Sequence, residues 1–143
     1  MPEKKTIERA KRDKAEGKAP TTQAGEFVRE EMEHIREGKH GARSPQQAIA
    51  IGLSKARRAG VELPSPRKGT TSEATRKRAE HDLEKGRTHK QARPAAKRSR
   101  SRLETLKREP RAAASKSALS RQAKQAAARR RARGKVTTSG RAR

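Results

Sequence analysis

"SPQQAIAIGLSKARRAG", residues 44–60, carries the signals of one complete helix. Ser44, with Gln47 three residues later, has capping-box spacing, which satisfies the first backbone N–H groups of a helix. Pro45 takes the first helical position, where its missing N–H costs nothing. Ile49, Gly52, Leu53 and Ala56 recur as the stripe to be buried. Lys55, Arg57 and Arg58 gather at the C-terminal end, where positive charge suits the helix dipole, and Gly60 stops the helix. Ala48, Gly52, Ala56 and Gly60 repeat every four residues, an edge of small side chains that admits a second helix closely. Ile51 points away from the stripe, so it needs a second contact, for which Val61 and Leu63 are the candidates, or stays exposed.

Upstream, a second helix is predicted from about residue 23 to 37, capped by Thr22 and ended by Gly38. Ala24, Val28, Met32 and Ile35 share one stripe with Phe27 beside it, and the Val28/Met32/Ile35 face is the expected partner of the small-residue edge. Its opposite face carries Glu26, Glu30, Glu33 and Glu37. That acidic stripe is either a solvated face, helped by the Arg29–Glu33 pair, or a dock for the chain's own basic tail. An earlier segment, residues 7–16 with Thr6 as cap and Gly17 beyond its end, offers only Ile7, Ala10 and Ala15 for burial and is expected to fray.

Around these helices lies a polycation. The 143 residues hold 40 Lys+Arg against 16 Asp+Glu, a net charge of +24. Residues 1–60 carry +5 and residues 61–143 carry +19, with no acid after Glu109. Six Leu, four Ile, three Val, two Met and one Phe are the only large apolar residues. Nine of those 16 fall between Phe27 and Leu63. So little apolar surface with so much charge predicts disorder outside a small core, because backbone ordering costs about 1–2 kcal/mol per residue. The expected fold is mostly α with extensive disorder: a small two- to three-helix module plus a conditionally helical basic tail. Residues 1–19 form a basic arm, 20–64 the module, 65–71 a Pro/Ser/Gly linker and 72–143 the tail. "SEATRKRAEHDLEKG", "SRLETLKRE" and "SKSALSRQAKQAAARRRARG" are its helical candidates, rich in helix formers but with little to bury. Gly17, Gly38 and Gly86 each stand as a helix stop ahead of a Gln-Ala pair, a weak trace of a helix–turn repeat.

The chain has no Cys, which excludes thiolate nucleophiles and Cys-based zinc sites. His34, His40, His81 and His89 show no H-E-x-x-H pattern and no close carboxylate constellation, so they are expected as solvated side chains. No P-loop, G-x-G-x-x-G or nucleophile elbow occurs, and the chain is expected to be no enzyme, with no cofactor and no metal. No apolar run approaches the roughly 20 residues of a membrane span. "MPEKKTIERAKRDK" has no signal-peptide apolar region, so a cytoplasmic setting is expected.

Phosphate binding needs only Lys, Arg and small polar groups. The expected nucleic-acid contacts are Lys55, Arg57 and Arg58 on the opening helix, and Arg67 and Lys68 in the linker. The tail adds Arg93, Lys97, Arg98, Arg100, Arg102, Arg121, Lys124, Arg129, Arg130, Arg131, Arg133 and Lys135. "SPRK", residues 65–68, weakly matches the Pro-initiated basic turns of histone tails, and an ordinary linker turn is the stronger reading. Gln46 and Gln47 stand where a helix-turn-helix places base readers, but "GKHGAR" is longer than the usual turn. Phe27 is the only aromatic, which weakens any platform for stacking single-stranded or RNA-loop bases. A nuclear-localisation reading of "RRR" rests on the same charge.

"TIERAKRDKAEGKAPTTQAGEFVREE", "HIREGKHGARS" and "QAIAIGLSKARRAGVELP" resemble a bacterial family of small, basic proteins of unassigned function. The family shares the S-x-x-QAIAIGLS-x-AR helix and an Ala/Lys/Arg-rich tail, and the resemblance covers about residues 2–69. It implies a bacterial setting and a real module, and brings no site residues. The expected function is low-specificity nucleic-acid binding, DNA before RNA, as a nucleoid-associated, histone-tail-like protein. An RNA- or ribosome-associated protein is the alternative; a disordered stress protectant or an adaptor whose module docks a protein is the second. Self-association is expected, if anywhere, through the Ala48/Gly52/Ala56 edge.

Overall fold

Pro45–Arg58 form the predicted helix, with Ser44 as its N-cap. The Ser44 hydroxyl accepts the Gln47 N–H at 3.2 Å, and the Gln47 side chain accepts the N–H of Arg43 at 2.6 Å, one residue ahead of the cap. The computed structural model describes residues 2–88 and 96–139, with side chains as far as residue 134. The described residues form α1 (Lys4–Ala15), α2 (Pro20–Arg36), α3 (Pro45–Arg58), α4 (Glu73–Thr88), α5 (Ala96–Lys107) and α6 (Lys116–Ser139). A 3-10 turn over Ala112–Ala114 leads into α6. Two starts differ from expectation. Pro20, not a Thr22 cap, opens α2 after Ala19, and Thr6 lies inside α1 instead of capping it.

α2 and α3 meet along the small-residue edge. Ala48 and Ala56 are fully buried, and a Cβ on Gly52 would stand 2.7 Å from Val28 Cα. The edge is thus filled by α2 of the same chain, its expected partner, and not left open to a second chain. Gly52→Ala gains about 1 kcal/mol of helix propensity but forces backbone against backbone, and overpacking costs about 1–3 kcal/mol. We expect a net loss in urea denaturation; equal or greater stability would mean that the helices separate freely.

The core forms two clusters along α2. One gathers Ala10, Ala24, Phe27, Ala56, Val61 and Leu63, with Ile7 and Leu53 at its edge. The other gathers Met32, Ile35, Ala42, Ala48, Ala113 and Ala114, with Val28, Ile49 and Leu119 packed on it. The core thus draws in the arm through Ala10 and the tail through Ala113, Ala114 and Leu119, well outside residues 20–64. Val61 and Leu63 cover Phe27 rather than Ile51, which stays half-exposed.

Extensive disorder is not what the described residues show: the tail too is mostly helical. Ala, Lys, Arg and Gln lose little side-chain freedom in a helix, and pairs such as Arg76–Glu80 at 3.0 Å add support. α4 is also anchored. Ser54 donates to Asp82 at 2.7 Å, and Arg87 grips Glu62 through two nitrogens. Gly86 does not stop α4 but lies within it, where a Cβ would stand 2.0 Å from the Arg57 carbonyl oxygen.

The stretch before α6 is tied to the α2–α3 connection. Gly41 N–H donates to the Leu106 carbonyl at 2.8 Å and Ala42 N–H to that of Pro110 at 3.0 Å. Arg111 donates to the Ile35 and Arg36 carbonyls at the end of α2, the first of which also accepts the Gly38 N–H, and Arg36 returns a bond to the Ala114 carbonyl. Arg111→Ala is expected to cost about 1 kcal/mol. Its signature is faster amide exchange over residues 112–119 with α1 unchanged; uniform acceleration would show that no separate latch exists.

Candidate nucleic-acid interface

α6 has 24 residues and so spans about 36 Å, close to one turn of duplex DNA. Ala118, Leu119, Gln122 and Ala126 are its half-buried side, whereas Lys116, Arg121 and Lys124 are exposed. Arg129, Arg130, Arg131 and Arg133 are exposed further along. On α5, which buries no side chain, Lys97, Arg98, Arg100 and Arg102 are exposed. Arg67 and Lys68 are exposed ahead of Gly69. The turn there is built over residues 67–70, with the Thr70 hydroxyl on the Arg67 carbonyl at 2.6 Å. Arg93 lies outside the described residues, as does the side chain of Lys135.

Of the three expected contacts on α3, Arg57 and Lys55 are engaged inside the protein, which corrects the sequence reading, whereas Arg58 keeps 41 % of its side chain exposed. Arg57 is 7 % exposed and donates to the carbonyls of Leu63 at 3.2 Å and Pro64 at 2.9 Å, holding the chain that covers Phe27. Burial lowers its pKa, with Asp82 opposing. Lys55 bonds the buried Glu31, and Arg58 lies 3.8 Å from Asp82. A charge at a helix end goes to whatever acceptor packs there, and sequence position does not show that.

Of the two candidate base readers, Gln47 is used in capping, whereas Gln46 is exposed. Gln46 and Pro45 line a cleft with Arg121, Gln122 and Gln125, where the start of α3 meets α6.

The acidic stripe does not act as one solvated face. Glu30 is buried against α1, its Oε1 accepting the Glu3 N–H at 2.6 Å and the Thr6 hydroxyl at 3.1 Å. Glu33 pairs with Arg29 and Glu37 with Lys39. Beside Glu30, the wholly buried Glu31 bridges Lys55 and His40, with His40 Nε2 at 3.1 Å from Oε2. His34 Nε2 lies 3.1 Å from Glu3, and this hydrogen bond above all lowers the Glu3 carboxyl to about 2. So His34 and His40 are not solvated, and a close carboxylate constellation exists after all. Its one sequence signal is Glu31-x-x-His34, which puts both side chains on one helical face.

No protein-family model, curated protein or solved structure matches the chain. No helix among the described residues is long and apolar enough to cross a membrane.

Proposed function

We propose that this protein binds nucleic acid with low sequence specificity, duplex DNA before RNA, through the exposed cations of α5 and α6. It would do so as a nucleoid-associated member of the small basic bacterial proteins that residues 2–69 resemble. One observation carries the reading: beyond Glu109 the chain has no acid, and Arg121, Lys124, Arg129, Arg130 and Arg131 stand exposed on a helix whose start packs on the core. Solvent-facing guanidinium groups without neighbouring carboxylates release phosphate counterions on contact, and that release drives binding. The role of the other helices is to hold this surface out.

Truncation is a poor test, because Ala113, Ala114 and Leu119 belong to the core. Charge removal is cleaner. Arg129→Gln, Arg130→Gln and Arg131→Gln together should leave the circular dichroism spectrum unchanged. The log–log salt slope for duplex DNA should flatten by about 2–3 units, at roughly 0.9 per phosphate contact. An unchanged slope removes α6 from the interface. Tighter binding to structured RNA at matched salt transfers the proposal to a ribosomal or RNA partner, and absence of binding to either leaves the helical core as the functional part.

A further inference from the structure

The constellation around His34 has no part in the nucleic-acid reading, which stands or falls separately. Glu31 and His34 project one turn apart from α2, and Gly38, at φ +79°, turns the chain so that His40 comes back beside them. Glu31, His34 and His40 each offer a donor atom within 4.8 Å of the others, and so do Glu3, Glu30 and His34. The two sets share His34.

Two observations point to a cation. The first is the hydrogen-bond inventory of His40. Its Nδ1 lies 2.9 Å from the Gly41 carbonyl oxygen, which can only accept, so Nδ1 carries the proton. Nε2 then faces Glu31 Oε2, a second acceptor, at 3.1 Å. With Nδ1 so engaged, Nε2 and Oε2 both present lone pairs to each other, and the contact is completed by a proton or by a metal ion. An N–H held on a backbone carbonyl is also the arrangement that orients metal-binding histidines and leaves the other nitrogen free to ligate. The second observation is Glu30. Its residue is 2 % exposed, yet its Oε2 has no hydrogen-bond partner, and the nearest cation, Lys55 Nζ, lies 4.0 Å away. A buried carboxylate oxygen without a donor is expensive unless positive charge compensates it.

We propose that Glu31, His34 and His40 bind one divalent transition-metal ion of the zinc class, with Glu30 and Glu3 supplying negative charge beside it. Two imidazoles and one carboxylate suit zinc better than calcium or magnesium, which take oxygen ligands. Lys55 holds the other oxygen of Glu31 and keeps Oε2 turned toward His40. His34 and Glu3, partly exposed where the others are buried, form the way in. The bound ion ties α2 to the connection that leads into α3.

The experiment uses the full chain after treatment with a chelator. Co(II) is titrated in while its visible d–d bands are followed, and Zn(II) is then added in competition. We expect one Co(II) per chain, displaced by Zn(II), and a rise in melting temperature with Zn(II). His34→Gln and His40→Gln should each weaken binding at least about 10-fold, and His81→Gln, on the exposed face of α4, should leave it unchanged. Should His40→Gln fail to fold, His34→Gln decides, because its ring sits at the rim. Absence of d–d bands, or bands that survive His34→Gln, overturns the proposal.

Discussion

Glu31→Ala is expected to lower stability by about 3–5 kcal/mol in chelator-treated protein, the cost of leaving buried charge without its partner. Glu31 is completely buried and holds Lys55 on one oxygen and His40 on the other. Removing it leaves an ammonium and an imidazole that were arranged around the same carboxylate. Lys55, 20 % exposed, can swing outward, but His40 is 7 % exposed and cannot. The measurement is urea denaturation of the single variants and of Glu31→Ala combined with Lys55→Ala. The pair should cost less than the sum of the singles, because both single changes break the same Lys55–Glu31 ion pair and the double variant loses it only once. A loss below about 1 kcal/mol, or strict additivity, would show that water already screens the cluster.

Phe27→Ala is expected to cost about 3–5 kcal/mol, toward the upper end. Phe27 is the only aromatic residue and is 1 % exposed. Its walls explain the size of the effect. Ala10, Ala24 and Ala56 have no atoms beyond Cβ with which to fill a vacated space, so the cavity stays open. Val61 and Leu63 are the larger neighbours, and Arg57 pins the backbone of Leu63 and Pro64. Native stability is typically about 5–15 kcal/mol, so the variant would lose much of its margin. A loss under about 2 kcal/mol would show that the covering chain collapses inward despite Arg57.

Much of the fold was legible because its signals are local. Ser44, Pro45 and Gly60 bound one helix, Gly38 ends another, and the four-residue repeat of small side chains marks where the two meet. Each signal acts within a turn or two of backbone. The tail's part in the core was not legible, because Ala113 and Ala114 read as helix formers; an alanine becomes core only when another helix lies against it. Nor was the direction of the charges. Glu30 and Arg57 look like the surface residues around them, but α1 covers one and the 61–64 chain wraps the other. The candidate metal site is divided similarly: Glu31-x-x-His34 was present in the sequence, whereas Glu3 and His40 reach it only through the packing of α1 and the turn after α2.

By itself, then, the sequence determined where α3 begins and ends, where α2 ends, which two helices pack most closely and that cations dominate from Glu109 onward. Backbone capping, residue size and net charge are properties of neighbours in the chain. Only the tertiary structure decided which charges face water and which are spent inside. Lys55 and Arg57 went to internal acceptors, whereas Lys97, Arg98, Arg100 and Arg102 of α5 and Arg121, Lys124, Arg129, Arg130 and Arg131 of α6 are exposed. Burial is set by residues tens of positions away, and a charged side chain taken from water must find its partner among them.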